Sequence, residues 1–429
     1  MTSNHPRRVL ALVAAAALAL AACGTGGSSK SSSAAASAKS ASITTGPGVD
    51  ASTKTITIGN IGAITGPAAP LGSAALSGTK TAIAAINDAG GIDGWKLSLL
   101  FKDAGYVPQR HVQEYAAINQ QIAVLESFGS PTTKAIQSQV DAAKLVTAPL
   151  SWDSAWSKDP ILAPVGTPYA LDIANGLHYL VTVKHLAPKV GIIYQNDEYG
   201  ADGLRGAMAA TKHDGIKLVA KAPENLGDTS FTAQVQKMKA AGADIVVITA
   251  LPNATGPIVG TAASLGYTPT YLLQGPSWLE PLMTATGALH AKPTPIADAL
   301  AKSTYVMSFA TPWGNNVPGM PAMLSAWRHY APTQLPSIYF TWAYAQTRVV
   351  AAILKKAIED GDLSRAGIAK ARLNVGAIDT GGLTPTVNYS PQPGPPSSSS
   401  IINQIDANVV GFLKPVASGI TSPADSAVS

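Results

Sequence analysis

A single cysteine stands in the 429 residues, at Cys23, so no disulfide can form within the chain and its fold must be held by the core alone. Charge is scarce as well: Asp, Glu, Lys and Arg make up 13% of the residues against 46% hydrophobic, and the formal net charge is +5. Two of the positive charges are Arg7 and Arg8, at the extreme N-terminus. The remaining cations are dispersed along the sequence with no basic–aromatic stripe, so nucleic acid is not an expected partner. After Ala22 no apolar run approaches the ~20 residues a spanning helix needs. Enzyme signatures are missing too. No serine sits in a G-x-S-x-G elbow, and no G-x-x-x-x-G-K-[ST] loop occurs. Gly62 and Gly66, after the first strand, have the wrong spacing for a pyrophosphate cradle. The seven histidines are scattered, and His178 and His185 are not i, i+4 partners, so neither a metal nor a cofactor is expected. These absences favour a binding protein over an enzyme.

The cysteine that is present closes a patterned segment: Arg7-Arg8, an apolar run over 9–22, then Leu20-Ala21-Ala22-Cys23. Basic residues, an apolar stretch too short to span a bilayer and small residues before a cleavage point are the order of an export signal. With the cysteine, the segment resembles a bacterial lipoprotein signal and its lipobox. The resemblance implies removal of residues 1–22, a diacylglycerol on the Cys23 thiol, and an extracytoplasmic chain anchored to the membrane by lipid. A plain secretory signal with an incidental cysteine is the alternative. Residues 23–53, rich in Ser, Ala, Gly and Thr, read as a flexible stalk, and a chain beginning near Ala51 is expected to fold normally.

From Lys54 the pattern becomes globular. A period-two strand at 54–59 runs into the turn Thr65-Gly-Pro and a helix over 71–89, with Leu76, Ile83 and Ile86 at helical spacing. Strands at 96–101, 122–127 and 145–149 then alternate with helices at 108–120 and 132–144. After the breaks at Asp159-Pro and Ala163-Pro the alternation restarts. Helices at 170–186, 199–213, 230–241 and 255–265 separate strands at 190–194, 217–222, 244–250 and 270–273. A strand at 303–309, a long helix at 339–360 and a final strand pair at 401–414 follow, and the last residues, 421–429, are a frayed tail. Strands alternating with helices of this length imply crossover connections and parallel sheets covered on both faces. Two such series separated by Pro-rich chain predict an α/β protein of two doubly wound lobes.

Several segments, in order, resemble the type I solute-binding proteins of ABC importers, in the branch of the Leu/Ile/Val-binding proteins. They are Ile56-Thr-Ile-Gly-Asn-Ile-Gly-Ala-Ile-Thr-Gly-Pro, Leu71-Gly-Ser-Ala-Ala-Leu-Ser-Gly and Ile86-Asn-Asp-Ala-Gly-Gly-Ile-Asp-Gly. Lys102-Asp-Ala-Gly-Tyr-Val-Pro-Gln-Arg, Gly129-Ser-Pro-Thr-Thr, Asn196-Asp-Glu-Tyr-Gly and Gly227-Asp-Thr-Ser-Phe continue the set. The resemblance implies two parallel-sheet lobes joined by a three-stranded hinge and closing over a ligand, with crossings near Thr167, Ser303 and Val387. The N-terminal lobe would hold 54–167 and 304–387, and the C-terminal lobe 168–303 and 388–420. It further implies a monomer that delivers a small molecule to ABC permease subunits.

Carried over segment by segment, Ser130 and Thr132 fall where the family binds the ligand's carboxylate; helix capping is the other role open to the same hydroxyls. Ser151 and Trp152 match a second ligand loop, Tyr199 an aromatic of the opposing lobe, and Leu71 a position lining the side-chain pocket. Trp152 and Trp278 fit either pocket or core, whereas Trp156, Trp327 and Trp342 read as packing residues. Two loops depart from the family. The one after 270–273 reads Gln274-Gly-Pro-Ser-Trp, with Ser277 where a carboxylate commonly pairs the ligand's ammonium and Glu280 displaced from it. The loop after 244–250, commonly tyrosine-bearing, reads Ala250-Leu251-Pro-Asn. The expected ligand is therefore a small solute, either like a branched-chain amino acid or an amide or aromatic carboxylate without an ammonium. Aliphatic amino acids are expected to bind poorly unless cation–π contacts or a displaced acid such as Glu280 or Asp153 serve the ammonium. A sensor built on the same clamp and an extracytoplasmic hydrolase are the competing functions.

Overall fold

The structure, a computed structural model, describes residues 43–389 and 394–424; Cys23 and its flanks lie outside them. The first sheet begins with β1 (Thr55–Gly62), whose Ile56, Ile58 and Ile61 are fully buried. It continues through α1 (Ala69–Asp88), β2 (Lys96–Asp103), α2 (Pro108–Ile118), β3 (Val124–Phe128), α3 (Ser130–Ala142) and β4 (Thr147–Leu150). All four strands are parallel in the order β2-β1-β3-β4, so the sheet reverses its winding between β1 and β3. Ligands in open α/β sheets bind at such reversals, outside the carboxyl ends of the strands.

The second sheet repeats this plan. It follows α4 (Tyr169–His178) with β5 (Lys189–Gln195), α5 (Glu198–Ala210), β6 (Lys217–Glu224), α6 (Thr232–Ala240), β7 (Ile245–Thr249), α7 (Pro252–Ser264), β8 (Thr270–Leu273), α8 (Ala297–Ser303) and β9 (Thr304–Ser308). Its parallel part runs β6-β5-β7-β8-β9, reversing between β5 and β7. The chain then returns to the first lobe for α9 (Met320–Tyr330), α10 (Ile338–Glu359) and α11 (Arg365–Asn374). It ends in the second sheet with β10 (Ser400–Ile405) and β11 (Leu413–Ile420), both antiparallel to their neighbours.

The small residues of α1 serve packing. A Cβ on Gly78 would lie 2.4 Å from the Phe340 carbonyl oxygen, so glycine is what lets α1 and α10 approach backbone to backbone. The fully buried Glu126 carboxylate pins the same lobe, accepting 2.8 Å hydrogen bonds from Asn60 on β1, Thr79 on α1 and Thr347 on α10. Burial pushes its pKa up and those bonds oppose the shift. Among the described residues no helix is long and apolar enough to cross a membrane.

Three sequence expectations are corrected. Residues 43–53 are not stalk: Thr44–Thr45 pairs in parallel with Asp362–Leu363, Val49–Asp50 pairs antiparallel with β1, and Ile43 and Val49 pack on the first lobe's core. The second crossing falls after Ser308 rather than near Ser303, because β9 is paired on both sides in the second sheet and the chain leaves only past Phe309. The third follows Tyr389, which is packed in the first lobe with its hydroxyl on the Pro164 carbonyl at 2.9 Å. Near Thr167 the first crossing lies beside the third, the Thr167 hydroxyl meeting Ser397 at 3.3 Å. The helix expected over 170–186 ends its α-helical part at His178 and continues as a π turn (Tyr179–Val183).

Candidate ligand-binding site

The loops at the carboxyl ends of both sheets converge on an enclosed cavity of about 30 Å³. A single water takes ~10–15 Å³ on this measure, so the lobes are drawn together and a larger guest must displace the walls. The first lobe contributes Leu71 from α1, Tyr106 after β2, Phe128, Gly129 and Ser130 at the β3–α3 turn, Leu150 and Trp152 at the end of β4, and Tyr339 and Trp342 from α10. The second contributes Tyr169, Tyr199, Leu251 and Pro276. No ionised side chain is among them.

The walls are mostly aromatic. Trp152 stacks on Phe309 with centroids 4.0 Å apart and lies 4.0 Å from Trp342, while Tyr169 meets Tyr199 edge-on at 4.9 Å. Nearly every polar atom on these rings is spent on the protein. The indoles of Trp152 and Trp342 both donate to the Val165 carbonyl, at 2.6 and 3.2 Å. The Tyr339 hydroxyl reaches the carbonyls of Gly275 and Trp278 at 2.9 Å. The Tyr106 hydroxyl meets Gln195 at 3.5 Å. Burial holds the phenols of Tyr106, Tyr169, Tyr199 and Tyr339 well above their usual pKa, so all four are neutral.

Ser130 is the exception. The residue is 1% exposed, and its hydroxyl, in the first turn of α3, has only the Tyr169 phenol beside it, too poorly aligned for a full hydrogen bond. The opening amides of a helix have no partner within the helix, and together with the macrodipole they favour a negative or strongly accepting group. The turn depends on Gly129, whose φ of +93° is open to glycine and whose missing Cβ leaves room for the Tyr106 ring.

Of the residues expected from sequence, Leu71, Ser130, Trp152, Tyr199 and Leu251 come together at the cavity, and Thr132, Ser151, Ser277 and Trp278 stand behind it. Thr132 caps its own turn, donating to the Phe128 and Gly129 carbonyls. The Ser151 hydroxyl accepts from the Trp156 indole at 3.0 Å. The Ser277 hydroxyl donates to the Ile248 carbonyl at 2.8 Å and meets the Ala250 amide at 3.2 Å and the Tyr199 hydroxyl at 3.1 Å. One donor and two lone pairs are then used, so Ser277 is a brace for Tyr199 with nothing left for a ligand. Trp278 is fully buried as core. Trp342, expected only to pack, also walls the cavity. Tyr106, Phe128, Tyr169 and Tyr339 were missed; the carboxyl-end position of the first two in a strand–helix alternation was the available signal.

The carboxylates that could have served an ammonium are engaged elsewhere. Glu280 is buried and accepts from the Ile338 amide at 3.4 Å, and burial pushes its pKa up to about 7. Asp153 caps the turn at Ala155, at 2.8 Å. Asp202 accepts from the Ser154 amide and hydroxyl at 2.9 and 3.0 Å and pairs with Arg205. Among the described residues no group of three or more His, Cys, Asp or Glu side chains converges as metal ligands would.

Two α/β lobes of like topology, three crossings between them and a cavity at the facing switch points define a two-lobed α/β clamp. The periplasmic binding protein family matches residues 55–408, most of the chain, and the chain belongs to that family, in its type I, Leu/Ile/Val-binding branch. An amino acid binding protein of Pseudomonas aeruginosa is 28% identical over 239 residues, covering 54% of this chain and 63% of that one. Leu/Ile/Val-binding protein homolog 3 of Brucella melitensis is 31% identical over 216 residues, covering 46% and 54%. The chain thus spans less than two thirds of the length of these relatives. Among solved structures, a fatty acid ABC transporter substrate-binding protein from Thermomonospora curvata shares the fold with a TM-score of 0.82 at 24% identity, covering 90% of this chain and 96% of that one. A branched-chain amino acid ABC transporter protein from Thermus thermophilus with bound valine shares it at 0.75 and 17%, covering 87% and 98%.

Proposed function

We propose that this chain is the extracytoplasmic, lipid-anchored receptor of an ABC importer, closing its lobes over a small solute and delivering it to the permease. The solute has an apolar, often aromatic body and a single accepting head, a carboxylate or amide, and carries no ammonium. The observation that carries this reading is the wall chemistry: aromatic and aliphatic carbon, one buried hydroxyl at Ser130 with only the Tyr169 phenol beside it, and no ionised group. An ammonium shut in such a cavity would lose its hydration without a counter-charge, at a cost of several kcal/mol. The head would sit at Ser130 and the first amides of α3. The relatives' and neighbours' described ligands, amino acids and fatty acids, share a carboxylate.

The reading is tested by a melting screen of small monocarboxylates and amides beside amino acids. A ligand at 100 times its Kd adds about 2.7 kcal/mol to stability, a shift of several degrees. Solution scattering with a hit should show a smaller radius of gyration; a bound ligand that leaves the radius unchanged would contradict closure. For the anchor, Cys23→Ser should move the chain from the membrane to the soluble fraction. Retention of that variant on membranes after a high-salt wash would contradict lipidation.

A further inference from the structure

The turn between β2 and α2 holds a bulky residue in a conformation it resists. Tyr106 has φ +63°, left-handed backbone that an aromatic side chain rarely adopts and that persists only where the surroundings enforce it. The enforcement is visible. The Asp103 carboxylate accepts from the Ile64 and Gly105 amides at 3.0 Å each and from the Thr65 hydroxyl at 2.6 Å. Burial pushes this carboxyl up, and the three hydrogen bonds outweigh it and hold the pKa below the ordinary value. Arg110 donates to the Asp103 carbonyl at 2.8 Å, locking the turn to α2.

The turn sets the Tyr106 ring in the cavity wall, one residue from exposed chain. Val107, next in the chain, is 38% exposed, while Tyr106 is 6% exposed and lines the cavity. The ring lies edge-on to Phe128 at 6.1 Å and over Gly129, where a Cβ would come within 2.4 Å of it. Its hydroxyl meets Gln195 at the end of β5, across the cleft in the second lobe. One side chain thus covers the head-group turn at Ser130, touches both lobes and is held against its backbone preference.

We propose that Tyr106 is the gate of the interlobe cavity, its ring setting how fast a ligand enters and leaves the Ser130 end. The proposal rests on the ligand-site reading above. Glycine suits φ +63°, so Tyr106→Gly removes the ring and relieves the backbone, and Tyr106→Phe keeps the ring without the hydroxyl.

The first test needs no ligand. Trp152 and Trp342 are 3% and 1% exposed in the cavity wall, so acrylamide quenching of tryptophan fluorescence in the full chain should rise in Tyr106→Gly and stay unchanged in Tyr106→Phe. An unchanged far-ultraviolet circular dichroism spectrum and a cooperative melt of Tyr106→Gly that begins above the assay temperature show that the rise is not unfolding. The second uses 4-methylpentanoate as probe. Its dissociation, followed by stopped-flow fluorescence, should be about tenfold or more faster in Tyr106→Gly and within about threefold in Tyr106→Phe, since a 3.5 Å contact is weak. Quenching in Tyr106→Gly equal to the unsubstituted chain, or unchanged dissociation of a bound probe, overturns the gate. Failure of 4-methylpentanoate to bind the unsubstituted chain counts against the ligand reading, and quenching alone then decides the gate.

Discussion

Ser130 and Ser277 are both buried serines near the cavity, and their hydroxyls are used in opposite ways. Ser277 satisfies three protein groups, so Ser277→Ala should cost about 1–3 kcal/mol in stability through the unpaired Ala250 amide and Tyr199 hydroxyl, read as a lower melting temperature. Ser130 has only the Tyr169 phenol beside it, so Ser130→Ala should cost less, under about 1 kcal/mol, while weakening ligand about tenfold in calorimetry. The reverse pattern would place the head group elsewhere. Both serines stood out in the sequence, but only coordinates separate them, because what a hydroxyl is bonded to depends on chain distant in sequence. The Tyr199–Ser277 pair joins residues 78 apart.

Among the elements, the strand–helix alternation was legible because each strand carries a buried apolar run and each connection a turn signal. The switch points were not legible, because the spatial order of the strands is set by pairing between distant segments. Less legible were the edges. Thr44–Thr45 and Val49–Asp50 are two-residue strands inside a polar stretch, too short to leave a period, and they acquire meaning only from partners at Asp362–Leu363 and β1. A chain beginning at Ala51 loses both pairings and the packing of Ile43 and Val49. It should fold but be about 2–4 kcal/mol less stable than one beginning at Ser42, on the usual worth of partly buried aliphatic side chains. Equal chemical-denaturation midpoints for the two would show that these residues contribute nothing. The shifted second crossing has a similar cause: β9 reads as a strand, yet which sheet it joins depends on pairing with β8 and β10.

Across the whole molecule, burial sets a pH dependence. It pushes the carboxyls of Asp172 and Glu280 up to about 7, against about 4 in an unfolded chain. The folded state therefore holds more protons between pH 4 and 7. The stability these groups contribute is fully present below the unfolded value and is lost as pH rises through about 7. Each can change stability by up to about 1.4 kcal/mol per pH unit. Asp202 and Glu224, also pushed up to about 7, add to them. The buried His111 imidazole, pushed down to about 3, opposes them as one group against four, so the melting temperature should be higher at pH 5.5 than at pH 7.5. Asp172→Asn should reduce that difference without abolishing it, since the amide is neutral throughout and Glu280 still titrates; an unchanged difference would assign it to other groups.

The proposed ligand choice rests on the absence of ionised groups from the cavity wall, and calorimetry tests it directly. Leucine and 4-methylpentanoate share a carboxylate and an aliphatic body and differ at the ammonium. Titrated into the chain alongside the corresponding pairs for isoleucine and valine, the deaminated acids should bind at least tenfold more tightly than their amino acids. Micromolar binding of leucine, isoleucine or valine, equal to or tighter than that of its deaminated partner, would contradict the account.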